Sequence, residues 1–174
     1  RLALALNRRL HGAEHPRVGE SLHTLGAMHW AFSFQDSTRV VQYRDTAEVL
    51  VRESLAVRRA IFPPDHPEIV HSLSFLADIL RATGRLEEAE PLFEEALTLH
   101  RQRLGDEHPY IATRLFGLAR LRQDQQRYAE AESLATQAVD LRRRRLGVGH
   151  PETLRAERER EILRQARPNG VGDL

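Results

Sequence analysis

Four histidines stand directly before proline: His15-Pro16, His66-Pro67, His108-Pro109 and His150-Pro151. Imidazole is a metal ligand, so a recurring histidine raises the question of a metal site. The spacing argues against one. The last three copies lie 42 residues apart, and the first lies 51 residues before the second. Such a period marks a repeat array, with each mark at the same place in its own unit. If each unit is a helical hairpin, neighbouring copies are separated by at least two helix diameters of roughly 10 Å each, beyond any ligand sphere. The plainer role is to open a helix, since proline suits the first turn, where its missing N–H has no partner anyway. His11 and His15 are closer in sequence, but their spacing specifies no acidic or sulfur partner to complete a site. Neither a metal nor a cofactor is expected.

Two other residue types could carry chemistry. Carboxylates come in pairs, at Glu87-Glu88 and Glu94-Glu95. Catalytic acids need burial to shift their pKa, whereas these fall at the exposed start of a helix and complement its dipole. The chain has no glycine-rich phosphate loop, nucleophile elbow or His-Glu metal helix, so no enzyme is expected. The basic run Arg142-Arg143-Arg144-Arg145 has counterparts in Arg8-Arg9, Arg58-Arg59 and Arg101 with Arg103. Stacked units would align these cations as a ridge. The ridge either completes helix C-termini and pairs with neighbouring acids, or offers an edge to an acidic protein segment or a nucleic acid.

The elements that position these groups follow from the same period. Shifted by 42, Leu73, Leu76, Ala77 and Ile79 fall on Leu115, Leu118, Ala119 and Leu121, and Ala89, Glu90, Ala96 and Leu99 fall on Ala131, Glu132, Ala138 and Leu141. Within the middle unit, Ile69, Val70, Leu73, Leu76, Ala77, Ile79 and Leu80 follow helical spacing from Pro67. Thr83-Gly84-Arg85 interrupts it, Gly84 being suited to the positive φ that ends a helix. A second helix runs from about Leu86 to Leu104, acidic at its start and basic at its end. Each unit is therefore a hairpin with apolar flanks, which only stacked neighbours can bury. Ala77, Ala89, Ala119 and Ala131 are small enough for close helix approach. Unit three carries Gln126 where Gly84 predicts glycine, and Arg122 where Leu80 predicts an apolar group.

On this pattern, residues 1–167 form one repeat domain. Residues 1–11 are the second helix of a truncated repeat; repeat one is 16–62, with a nine-residue insertion near 31–45. Repeat two is 67–104 and repeat three 109–146. A capping helix follows at 152–167, with Glu157 and Arg160 where Leu73 and Leu76 would repeat, and a tail closes the chain at 168–174. The insertion holds Phe32, Phe34 and Tyr43, three of the nine Phe and Tyr residues. It either binds something, extends a helix or covers an end. The chain starts inside a helical stretch without an initiator Met and reads as a fragment of a longer protein.

Composition sets outer bounds. Of 174 residues, 41% are hydrophobic and 29% charged, and the net charge is +1. This balance disfavours bulk attraction to nucleic acid or membrane. No stretch reads as a transmembrane span or signal peptide. The absence of cysteine fits a reducing, cytoplasmic setting.

The segments Gly84-Arg85-Leu86-Glu87-Glu88-Ala89-Glu90-Pro91-Leu92-Phe93-Glu94-Glu95-Ala96-Leu97 and Leu104-Gly105-Asp106-Glu107-His108-Pro109 resemble the tetratricopeptide repeat, in the 42-residue form of kinesin light chains. The resemblance spans roughly residues 1–167. It implies an all-α, right-handed superhelical solenoid of antiparallel hairpins, whose first helices line an inner groove that holds a peptide or partner protein. On that geometry the groove carries Glu20, His23, Ala27 and Trp30 from repeat one and His71, Ser74, Asp78 and Arg81 from repeat two. Repeat three adds Thr113, Phe116, Arg120 and Gln123, and the capping helix Arg155 and Arg158. Four arginines against Glu20 and Asp78 leave a net +2, which favours an acidic partner. Trp30 is either an exposed anchor or core packing beside the insertion. The asparagine pair common in first helices of this type is replaced by His23-Thr24, Ser74-Phe75 and Phe116-Gly117, so a kinesin-type cargo does not carry over. The expected function is a non-catalytic scaffold for a protein or peptide. Self-association or intramolecular docking is the alternative, and weak nucleic-acid binding by the arginine ridge is a third.

Overall fold

The computed structural model describes residues 2–166, and the expected tail, 168–174, lies outside them. Among the described residues there are eight α-helices and no strand: α1 (Leu2–His11), α2 (Pro16–Phe32), α3 (Val40–Ile61), α4 (Pro67–Ala82), α5 (Leu86–Leu104), α6 (Pro109–Asp124), α7 (Tyr128–Leu146) and α8 (Pro151–Gln165). The fold is an all-α repeat. Two compact units divide it, one ending at Leu92 and the other beginning at Phe93.

All four His-Pro marks open helices in one geometry. His15, His66, His108 and His150 each hold extended backbone. In each, the imidazole Nδ1 accepts the backbone N–H two residues on, from Arg17, Glu68, Tyr110 and Glu152, at 3.2 Å. One of the orphan donors of the first turn is thereby satisfied, the service that Ser or Asp gives at other N-caps. Proline then fills the first helical position.

In the first unit, α2 and α3 pack together, α4 lies against α3, and α1 lies against α2. The core is Val18, Leu22, Ala47, Val51, Leu55, Ile69, Val70, Leu73, Leu76, Ala77, Ile79 and Leu80. Gly26 stands where Ala77 stands in the next repeat, and a Cβ there would lie 2.7 Å from Val51 Cγ2. The α2–α3 contact is therefore closer than alanine allows. In the second unit, α7 packs on both α6 and α8, around Ile111, Leu115, Leu118, Leu121, Ala135, Ala138, Val139 and Leu141.

The extra residues of repeat one are spread over three places. Helix α2 has 17 residues where α4 has 16. The turn after it covers 33–39, against 83–85 in repeat two, and α3 starts at Val40. The turn is tied by its own side chains: Ser33 donates to the Trp30 carbonyl at 2.7 Å, and Asp36 accepts from the Thr38 N–H and hydroxyl at 3.0 and 2.6 Å.

The turn ending α6 keeps its shape without glycine. Gln126 has φ +63°, the counterpart of Gly84 at +81°. A side chain in this region costs about 1–2 kcal/mol, while glycine adds unfolded-state entropy worth about 0.4–1 kcal/mol. Gln126→Gly is therefore expected to stabilise the protein by about 0.5–1 kcal/mol. Chemical denaturation at neutral pH reads this as a higher midpoint with unchanged slope, and a lower midpoint would contradict it.

Candidate functional site

The first-helix residues expected in a groove fall into two groups, one in each unit. In the first unit, α2 contributes Glu20, His23 and Trp30, and α4 contributes His71, Ser74, Asp78 and Arg81. The His23 ring lies 4.5 Å from that of His71 and 5.3 Å from that of Phe75. Trp30 meets Phe75 edge-on at 6.5 Å and Phe34 of the insertion at 5.1 Å, with the Arg44 guanidinium 5.7 Å from its ring centre. It is half-buried, neither fully exposed nor part of the buried core. Burial, then the nearby His71 and Arg58 charges, push the His23 pKa down to about 4. It is neutral near pH 7 and accepts an Arg58 N–H at Nδ1, 3.3 Å away. Ser74 is buried and gives its hydroxyl to the Val70 carbonyl at 2.8 Å. His71 is exposed, and Asp78 faces Arg81 at 3.8 Å. Glu20 is exposed on the rim of a separate hollow of about 350 Å³ between α1 and α2, floored by Leu4, Leu25 and Met28.

In the second unit the arrangement is more open. Arg120, Gln123, Arg155 and Arg158 line one concavity of about 500 Å³ between α6 and α8, together with Glu159, Ile162 and Leu163. Ile162 is 66% exposed there. Arg120 pairs with Glu159, and Arg155 with Glu152 at 2.9 Å. Gln123 donates to the Leu163 carbonyl at 3.5 Å. Thr113 and Phe116 lie elsewhere. Thr113 accepts from Arg142 at 3.0 Å, and Phe116 is buried under the Arg142 guanidinium, 5.9 Å from its ring centre.

The arginine ridge is largely spent on structure. Arg101 meets Asp106 at 3.0 Å, Arg143 meets Glu157 at 2.7 Å, and Arg144 and Arg145 meet Glu107 at 3.2 and 3.3 Å. Arg58 and Arg142 are buried. Both occupy one register position, 84 residues apart, near the end of a second helix. Arg58 donates to the Glu68 carbonyl at 3.1 Å and to the Ser72 hydroxyl at 2.5 Å, and pairs with the Glu68 carboxylate. Arg142 donates to the Glu152 carbonyl at 3.1 Å. One period before Arg58, Asn7 reaches the Arg17 carbonyl at 3.4 Å and the Ser21 hydroxyl at 2.9 Å. A side chain at this register therefore holds the first turn of the following helix. The register was readable in the sequence, but its occupants differ chemically, so matching identical residues passes over it.

Among the described residues, no group of three or more His, Asp or Glu is placed to hold a metal ion, and no helix is long and apolar enough to cross a membrane.

A family model for the tetratricopeptide repeat matches residues 44–102 and 68–144. Crystal structures of a kinesin light chain-type protein of Podosopora anserina with nearly identical repeats are similar to this chain. One has 25% identity and a TM-score of 0.72; a single-substitution form of the same protein has 24% and 0.74. Each comparison covers 94% of this chain and 73% of the other. BtubC from P. vanneervenii is more distant, at 18% identity and a TM-score of 0.56 over 89% of this chain and 75% of its own. No curated protein matches.

Proposed function

We propose, from the premise that this chain belongs to the tetratricopeptide repeat family, that it is a non-catalytic module holding an acidic segment of a partner protein on its first-helix faces. Tetratricopeptide repeats mediate protein–protein interaction; the seat and the chemistry of the occupant are particular to each chain. The observation that carries the reading is the α6–α8 concavity. Four residues expected in a groove line it together, and Ile162 and Leu163 add an apolar floor. An acidic segment bearing one aliphatic side chain fits both features: the aliphatic group covers Ile162, and its carboxylates meet Arg155 and Arg158. Arg158 has no acidic partner among the described residues. A cysteine-free chain suits a cytoplasmic setting for such a partner.

The test is affinity for a synthetic Asp/Glu-rich peptide carrying one leucine. Arg155→Glu with Arg158→Glu is expected to weaken binding at least about tenfold, with a marked salt dependence. Both side chains are exposed, so thermal stability stays within about 0.5 kcal/mol. Unchanged affinity in the folded double variant contradicts the reading. Arg120→Glu is a poorer probe, because its pair with Glu159 ties α6 to α8, whereas the Arg155–Glu152 pair lies within α8.

A second reading, self-association, is favoured by one observation. Helix α1 has no buried residue, and it exposes Leu2, Leu6 and Leu10 at 90%, 55% and 63%. The α8 side is less suited to another helix. The register that is Gly26, Ala77 and Ala119 in the preceding first helices is Glu161 in α8, so a second helix cannot approach it closely. Sedimentation of the whole chain across concentration separates the two readings. A strict monomer removes self-association and leaves peptide binding untouched.

A further inference from the structure

The side-chain register that holds each following first helix is occupied by Asn7, Arg58, His100 and Arg142. Three of the four make the bonds described above. His100 does not. It is 8% exposed, and its Nδ1 is buried without a hydrogen-bond partner among the described residues. The matching residue on the next helix is Tyr110, where the flanking junctions have Glu68 and Glu152. The Tyr110 ring lies 6.4 Å from His100 and 5.1 Å from the cap histidine His108. The charged and titratable groups set against His100 are Arg103 on its own helix, His108 in the turn, and Tyr110 and Arg114 on α6. None of these is an acid.

We infer that the α5–α6 junction is the acid-labile joint of this chain: His100 fills the register without bonding across it, and a proton on His100 drives the start of α6 away from the end of α5. The physics follows from the neighbours. A charged imidazole at Arg58's place would find the Glu68 carboxylate. At His100, itself largely buried, it finds two guanidiniums and a second imidazole. Stacking on Tyr110 offers little compensation, since that ring is 62% exposed and the separation lies at the outer limit for a cation–π contact. Burial first, then Arg114, His108 and Arg103, hold the His100 pKa down at about 4.

The folded junction resists the proton until about pH 4, whereas the opened one accepts it near the ordinary value of about 6.5. The closed form therefore binds fewer protons between those values, and acid favours opening through that window. Between about pH 7.5 and 5 the opening constant rises about 30-fold.

Hydrogen exchange of the whole chain, corrected for the intrinsic pH dependence and read on amides of residues 100–116, measures this. The expected result is the roughly 30-fold rise in the wild type and its loss in His100→Gln. His108→Asn keeps a cap acceptor without a titrating ring, and should retain the rise. If His100→Gln does not fold, His100→Arg with Tyr110→Glu rebuilds the flanking pair and is expected to be flat with pH. The proposal is overturned by a wild type with no rise, or by a rise that survives replacement of His100. A rise lost only in His108→Asn overturns it too, because the cap would then be the sensor.

Discussion

Arg58→Ala is expected to destabilise the first unit by about 3 kcal/mol, a drop in Tm of about 6–12 °C. The side chain is 3% exposed and ties α3 to α4 through the Glu68 carbonyl, the Ser72 hydroxyl and the Glu68 carboxylate, with His23 accepting a further bond. Truncation leaves a void and a fully buried Ser72 hydroxyl without its donor. Glu68 itself is 46% exposed, so its freed carboxylate is hydrated and adds little to the loss. Taking a guanidinium out of a dry site is itself favourable, and this sets the upper limit. Arg58→Met separates the terms. It fills the volume but strands Ser72, so it should lose about half as much, and Arg58→Met with Ser72→Ala should approach neutrality. A double variant as unstable as Arg58→Ala would show that the bonds, rather than the stranded groups, carry the energy.

Phe93→Ala is expected to cost about 3–5 kcal/mol, since the ring is 2% exposed at the α5–α6 contact and truncation leaves a large void. The ring packs on Gly117, where an added Cβ would lie 2.8 Å from Phe93 Cε1 and 3.1 Å from Cδ1. Two effects therefore compete in Gly117→Ala. Helix propensity gains about 1 kcal/mol, while displacing a packed ring costs about 1–3 kcal/mol. The substitution alone is expected to lose about 1 kcal/mol. With Phe93→Leu in place the obstacle shrinks, and Gly117→Ala should become neutral or stabilising. This change of sign, read by a denaturation cycle, tests the contact directly. Equal effects in both backgrounds would mean the ring moves freely.

Much of the fold is legible in the chain because the repeat makes each local signal appear several times. The His-Pro marks open four helices in one cap geometry. Gly84 and Gln126 end first helices in the same positive-φ conformation, although only glycine advertises it, so the period carried information that the residue type concealed. The insertion was harder to place, because its residues were shared between a longer α2, a longer turn and an earlier α3 start, with no single loop to point at.

The site was legible in part. Arg120, Gln123, Arg155 and Arg158 meet as the first-helix geometry requires. Ser74 and Phe116 occupy groove positions in register, yet their side chains are buried. For Phe116 the reason is energetic: burying a phenyl ring, here beneath the Arg142 guanidinium, is worth about 2 kcal/mol, more than a vacant anchor offers. The register shared by Asn7, Arg58, His100 and Arg142 stayed hidden because an amide, two guanidiniums and an imidazole look unrelated until the acceptor common to Asn7, Arg58 and Arg142 is seen. That acceptor is a backbone carbonyl, which no sequence pattern displays.

Seating of an acidic segment between α6 and α8 is tested most directly by amide chemical-shift mapping while the leucine-bearing acidic peptide is titrated into the labelled chain. Saturable shifts are expected to concentrate at Arg120, Gln123, Arg155, Arg158 and Ile162 and to fade as salt is raised. Saturable shifts confined to the second-helix faces, or to α1, would contradict it.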